Sequence, residues 1–413
     1  MAQFKPDPER SLEDIVETLS RELSDRYRDA EDEVIRQVAI RAARDMELAG
    51  QLPTDTVAGG LTVAERRRQN RIMAELLAHR ARALRELQTI AVGIADRLRA
   101  EDNARRILFT AATEGEAAAA AQLGFAQRQP VASIPFIGGS AAVSSTTMTA
   151  TSSQAVAMLV LSLDSRLENL AERITRYPRD AYQRIVSIYT PGTLLGLTTS
   201  KQQQARIVQR FLAEGITGFV DRGGRRWTIG AYAEMAGRTS VARAFNDAGV
   251  WRMQQSGINL GTIVGSLDAC KRCAPWIGKI VSLDGTTGDL ELPHATRKET
   301  VVVHIDGTLE QARSQGWGHP NCRDKVVAYQ PGLTIPQAGF QYDREAEQER
   351  QEQRRLEREI RSAKRREVSA MNEADRRRAA ADVADAQREM RGFIEKTGRK
   401  RQSIREQLHF ADG

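Results

Sequence analysis

Cys270-Lys-Arg-Cys273, answered further along by His319-Pro-Asn-Cys322, is the pair of stretches on which the reading of this chain turns. Together they hold all three cysteines of the protein and one of its five histidines. A C-x-x-C knuckle presents two thiolates on one tight turn, about the bite of a tetrahedral Zn²⁺. An H-x-x-C returning from a distant segment completes a four-ligand set. The expected metal ligands are therefore Cys270, Cys273, His319 and Cys322. A structural zinc there would close a long loop and stabilise a small domain with little core of its own. Two plainer readings stand beside this one: three buried or free cysteines with a surface histidine, and a disulfide between Cys270 and Cys273. The odd cysteine count argues against an oxidised scaffold, as does an N-terminus (Met1-Ala-Gln-Phe-Lys-Pro) with no basic segment followed by an apolar run. His294 and His304 are spare candidates for a fourth metal position.

Short Val/Ile-rich runs surround the cluster, at Thr262–Val264, Lys279–Ser282, Thr300–Ile305 and Lys325–Tyr329. The knuckle lies between the first two, and His319/Cys322 directly precedes the last. With a helix expected over Arg225–Asn246, carrying Trp227, Tyr232, Met235 and Phe245, residues 215–332 read as a small α+β domain pinned by metal. Trp276 is expected to pack over the knuckle rather than to stack on a base. Gly278 would permit a turn into the second run. Asp268 would hydrogen-bond a metal ligand, and Arg323 a backbone carbonyl or a phosphate.

The flanks are helical. Over residues 1–115, Ser11 with Asp14 and Thr62 with Glu65 have the form of capping boxes. Ile15, Leu19, Leu23 and Tyr27 recur every fourth residue in the first helix; Leu76, Leu77, Leu84, Leu87 and Ile90 mark the second. Gly50–Gly60, with Pro53, breaks the pattern, so an N-terminal helical hairpin is expected, either as a docking arm or packed on itself. Residues 116–152 begin with an alanine run and continue through Gln129-Pro130, Ile134-Pro135 and Gly138-Gly139 into a Ser/Thr-rich stretch, the composition of a linker. The region 153–214 reads as helical again: one helix ending before Pro178, a short one over Asp180–Tyr189, and one capped by Thr199 and Gln202. In the tail, 333–413, opposite charges interleave at helical spacing around a thin apolar stripe of Leu356, Ile360 and Met371. That predicts one long charged helix, either solvated or packed coiled-coil-like on a partner. The fold expected is mainly α with a small α+β metal-stapled domain, a helical N-terminal arm and a long charged C-terminal helix.

A chain of 413 residues has room for two to four domains. Its net charge of +7 comes from 61 basic against 54 acidic residues, a mixed surface rather than a nucleic-acid stripe. The one apolar run that invites a membrane reading, Ala155–Leu163, is too short to span a bilayer and is followed by Asp164 and Arg166. A soluble, non-secreted protein is expected. Catalysis is not. A catalytic zinc keeps an open position beside three protein ligands, whereas four closely spaced donors suggest a closed site. The zinc-deaminase signature is missing around Cys270, and no Ser-His-Asp order, P-loop or paired-acid motif is present. A zinc-dependent hydrolase or nuclease is the alternative from another class. A dedicated DNA-binding protein is the third reading, weakened by the acidic partners that accompany the C-terminal arginines.

Further motifs point to a family. Gly215-Ile-Thr-Gly-Phe-Val-Asp221, Gly224-Arg-Arg-Trp227, Tyr232-Ala-Glu-Met235 and Arg238-Thr239 resemble the phage minor capsid protein 2 family. So do Cys270-x-x-Cys273-Ala-Pro-Trp276-x-Gly278-Lys279 and Gly318-His319-Pro320-Asn321-Cys322-Arg323. The resemblance spans roughly Tyr182 to Gly332 and extends to the Arg354-Arg355-x-Glu357-Arg358-x-Ile360-Arg361 tail. That family is similar to the Mu F-like head morphogenesis proteins of tailed bacteriophages. The resemblance implies a low-copy virion component acting in head assembly, DNA packaging or ejection. Its implied partners are the portal protein, major capsid or other inner head proteins, and packaged double-stranded DNA in non-specific contact, with no membrane. Its place would be the phage head, and the host cytoplasm during assembly. Family members often carry His where this chain has Asp324, which leaves His319 as the histidine expected to bind.

Overall fold

Long amphipathic helices account for most of the computed structural model, which describes residues 12–52, 61–100, 102–127, 150–194, 208–209, 211–212, 217–220, 222, 224, 226–337, 339–370 and 372–408. No helix among them is long and apolar enough to cross a membrane. Two units are built from separated segments. The first comprises residues 1–24, 102–166 and 233–350; the second comprises 25–101, 167–232 and 351–413.

In the second unit, helix α1 (Leu12–Ala49, from Asp25 onward) and helix α2 (Val63–Ala100) form the expected antiparallel hairpin. Its register is fixed by Arg41–Glu86 at 2.9 Å and Arg80–Asp45 at 2.9 Å. The Thr62/Glu65 capping box is present: Glu65 N donates to Thr62 Oγ1 at 3.3 Å and Thr62 N to Glu65 Oε2 at 2.8 Å. The Ser11/Asp14 cap lies outside the described residues. Of the expected apolar positions, Ile15, Leu19 and Leu23 in the first unit and Tyr27 in the second are buried as their spacing requires.

The helix α4 (Ala150–Leu194) runs unbroken through Pro178, where two helices were expected. A proline in a helix interior costs one hydrogen bond and about 3 kcal/mol. Here Leu167, Leu170, Ile174, Ala181, Tyr182 and Ile185 keep one buried face on both sides of it. Tyr182 closes the packing by donating to Asp45 Oδ2 at 2.8 Å. The helix expected after Thr199 falls largely outside the described residues.

The tail is a hairpin of two helices, α7 (Arg344–Val368) and α8 (Glu373–Thr397), not one long helix. Asn372 explains the break: its side chain caps α8 by accepting from Asp375 N at 2.9 Å. The thin stripe folds on itself, with Leu356 and Ile360 against Met390, Phe393 and Ile394. Met371 lies outside the described residues. Arg365 on α7 pairs with the buried Asp32 at 3.1 Å.

The first unit packs two helices against the sheets. Helix α3 (Asn103–Gln127) runs on through the alanine run expected to open a linker, burying Ala119, Ala120 and Leu123. The rest of that segment up to residue 149 is not among the described residues. Helix α5 (Ile229–Gln255) crosses α3 in close contact: a β-carbon on Gly115 would fall 2.1 Å from Phe245 O. Trp227, expected on this helix, instead lies in the strand pair β1 (Thr217–Val220) and β2 (Arg226–Thr228) of the second unit, opposite Phe219. Strands β3 (Leu260–Val264) and β4 (Ile280–Ser282) follow, then β5 (Gly288–Pro293) and β6 (Thr300–Ile305). Strand β7 (Gly307–Thr308), the short helix α6 (Leu309–Ser314) and strand β8 (Lys325–Ala328) complete the unit's sheets. The main sheet has the order β7-β4-β3-β8, antiparallel except for the β4/β7 pair, and β5/β6 form a separate hairpin. All four expected Val/Ile runs are strands. The missed strands β5 and β7 lack a continuous β-branched run.

Candidate metal centre

Strand pairing puts the two halves of the motif at one end of the sheet. The last residue of β3, Val264, pairs with the first of β8, Lys325, so the loop leaving β3 and the loop entering β8 emerge side by side. In the first, Cys273 N and Ala274 N both donate to Cys270 O at 3.0 Å, winding the knuckle into a tight turn. A single 3-10 turn over Ala274–Trp276 follows. Gly278, in the left-handed region at φ 78°, then returns the chain, its N–H donating to Ile263 O at 2.8 Å. In the second loop Cys322 N donates to His319 O at 2.9 Å, and Asn321 takes φ 65° with its N–H on Thr239 Oγ1 at 3.2 Å.

These turns bring the four expected ligands into two close pairs, linked through Cys273. Cys270 Sγ lies 2.9 Å from His319 Nε2, and Cys273 Sγ lies 3.6 Å from Cys322 Sγ. His319 Nδ1 is 2.7 Å from Pro320 O, so it donates there and leaves Nε2 as the atom facing the thiols. Donor atoms of Cys270, Cys273 and His319 all fall within 4.8 Å of one another, and so do those of Cys273, Cys322 and Asp324. Cys273 belongs to both groups. Asp324 is the member that sequence reasoning set aside when it settled on His319. Its carboxylate is buried, with Oδ2 3.5 Å from Cys322 Sγ. An acid two residues past Cys322, opening a strand of otherwise apolar character, was the available signal.

Mutual contact and burial set the electrostatics of these groups. The hydrogen bond from Cys273 holds the Cys270 thiol down to about 3, helped by His319 and opposed by burial. The same sharing, with Cys322 and burial added, pushes Cys273 far above the usual thiol range. His319 is raised to about 9 by its bond to Cys270. Burial raises Asp324. These contacts favour charge on Cys270 and His319 and disfavour a thiolate at Cys273. A dication would let all three sulfurs ionise at once. The chemistry of the donor set (three thiols, an imidazole with its tautomer fixed, a buried carboxylate) fits a borderline-soft divalent ion.

The surroundings are apolar. Cys273 and Cys322 sit in one core with Ile263, Trp276, Ile277, Val281, Trp317 and Val326. Trp276 therefore packs beside the knuckle as expected. Asp268 and Arg323 pair with each other at 2.5 Å, and Asp268 also accepts from Ser266 Oγ at 2.8 Å. The spare histidines lie elsewhere, carried off by the β5–β6 hairpin. His294 Nδ1 accepts from Thr296 N at 3.1 Å, and His304 meets Asp289 at 2.6 Å. A cavity of about 380 Å³ reaches His319, Cys322 and Asp324 from outside, lined also by Thr239, Arg243 and Trp317.

Residues 67–395, from the first turn of α2 to the last turn of α8, match the family described as phage minor capsid protein 2. The chain belongs to that family. A structural protein of Lactococcus phage LL-H is 26% identical to it over 199 residues, 46% of this chain and 50% of that protein. The chain thus matches about half the length of this relative. No solved structure matches. Membership of the minor capsid family and likeness to a phage structural protein support a structural role in a phage particle.

Proposed function

We propose that this minor capsid protein is a low-copy, non-enzymatic component of the head of a tailed phage, acting in head assembly beside the portal and inner capsid proteins. One structural zinc, held by Cys270, Cys273, Cys322 and His319, staples its sheet region. The observation that carries the reading is where the cluster lies. Cys273 and Cys322 are part of the apolar core of a family-matched domain, the setting of a stapling ion rather than of an exposed reactive one. Quantitative mass spectrometry of purified particles against empty proheads tests the placement, with the chain expected in both at a few copies per particle. Its absence from particles would refute that placement. A metal-dependent hydrolysis abolished by His319→Ala in folded protein would restore the enzyme reading.

Contact with packaged DNA is a second reading, favoured by α2. Arg67, Arg71, Arg82 and Arg85 recur on one exposed side of that helix and make no ion pair among the described residues. Four phosphate contacts would give binding that weakens with a log–log salt slope of about −3.6. Reversing all four charges should abolish it, and unchanged binding would dismiss this surface.

A further inference from the structure

The cluster offers five donors where a tetrahedral zinc takes four. Bond lengths to zinc imply edges of about 3.8 Å between sulfurs and about 3.5 Å between sulfur and oxygen or nitrogen. The Cys273–Cys322 separation of 3.6 Å and the Cys322–Asp324 separation of 3.5 Å fall on such edges. The Cys270–His319 contact of 2.9 Å is shorter and is a direct hydrogen bond.

Asp324 is also the donor with the most need of a cation. It is 4% exposed, and its neighbour Arg323 turns away to Asp268. A buried carboxylate facing thiols is costly unless a positive charge joins it. The sheet fixes its position. Asp324 O accepts from Asn246 Nδ2 at 3.2 Å, Asn246 Oδ1 holds Val326 N at 2.9 Å, and β8 begins at the next residue. Gly265 makes the room, since a β-carbon there would lie 2.8 Å from Asp324 Oδ1. His319, by contrast, sits in a loop with Gly316, Gly318 and Asn321 all at positive φ, and beside the cavity.

We infer that Asp324 is a fifth donor of the metal centre, exchanging with His319 for the position beside Cys270, Cys273 and Cys322. The ion is then retained when the 316–321 loop carries His319 away. This rests on the metal reading above. Imidazole holds the place at rest, because three thiolates with a neutral nitrogen leave one net negative charge on a dication, and a carboxylate leaves two. The sheet-anchored carboxylate keeps the staple closed while the loop is free to move.

Cobalt loading of the full chain separates the possibilities, because the d–d and sulfur-to-metal bands report the fourth ligand. Wild type, His319→Ala, Asp324→Asn and the double variant would be titrated with Co²⁺, with far-UV circular dichroism as the folding control. His319→Gln serves if His319→Ala does not fold. The His319 variant should still bind one Co²⁺ per chain, about 10–100-fold more weakly, with shifted d–d bands. Asp324→Asn alone should leave the spectrum close to wild type, and the double variant should lose a further factor of about 10–100. Loss of all cobalt from the His319 variant would overturn the inference. So would a double variant identical to it in affinity and spectrum, which would make water the replacement. If wild type takes up no cobalt, the metal reading itself fails and the exchange fails with it.

Discussion

Between Leu260 and Ala328 the first unit holds two tryptophans, two cysteines and several aliphatic side chains in one core, with the Cys/His cluster at its edge. Between Gln351 and Thr397 the second unit has a thin seam of Leu356, Ile360 and Met390, flanked by Ala386, Phe393 and Ile394. Ion pairs cover the rest of that hairpin, most of them three or four residues apart on one helix. The contrast shows where each region can be broken. If the cluster holds a metal as proposed, a few groups in the sheet region act together through one centre, and a single loss is felt throughout. In the hairpin many weak, exposed pairs share the load, and only its buried members matter individually.

The sharpest way to break the comparison is Cys273→Ser, which removes the sulfur common to both donor groups. If a metal is bound, its binding is part of folding, so the sheet region should lose at least about 5 kcal/mol in urea unfolding and release its metal. A variant as stable as wild type would show that the cluster carries no staple.

In the second unit the largest single effect is expected at Arg365. The pair it forms with Asp32 is buried, and Arg365→Met would strand that carboxylate at a cost of about 3–5 kcal/mol, read from urea unfolding. A loss below about 1 kcal/mol would mean that the pair is solvated.

The same pair predicts a pH dependence. Burial, reinforced by Glu31 and Asp29 and opposed by Arg365, raises Asp32 to about 7. Folded Asp32 therefore holds its proton where the unfolded carboxyl, near ~3.9, has lost it. Its contribution is fully present below the unfolded value and is lost as pH rises through about 7. The urea midpoint of this unit should fall from about pH 4 to about pH 7 and level off above that, and Asp32→Asn should flatten that slope. A slope that survives the substitution would locate the titration elsewhere.

The smallest effect is expected at Arg355, which touches Glu352, Glu359 and Glu389 on the exposed face of the hairpin. Arg355→Gln should cost under about 1 kcal/mol and nothing measurable in high salt. A larger, salt-insensitive loss would give the surface pairs a weight that the comparison denies them.

The site was largely legible because its chemistry is concentrated: with three cysteines in two short motifs, spacing alone brought Cys270, Cys273, His319 and Cys322 to one place. Asp324 was not legible, since an aspartate beside an arginine reads as surface until β3/β8 pairing turns it inward. The helices were recognisable from their periodicity, but their ends were not. Pro178 should have stopped α4, and tertiary burial of Leu170, Ile174, Tyr182 and Ile185 carried the helix through it. The charged tail has helical character throughout, so periodicity could not reveal the turn. Asn372 capping a second helix decides it. The alanine run was misread as the start of a linker because its small side chains, which allow α3 to pack closely, look like low complexity in sequence.

Zinc content and thiol reactivity of the purified full chain, measured together before and after a strong chelator, test the stapled sheet most directly. The expected result is one zinc per chain and three thiols that react only once the chelator has removed it, with the sheet region melting at lower temperature afterwards. Three freely reactive thiols in metal-free protein, with melting unchanged by the chelator, would contradict it.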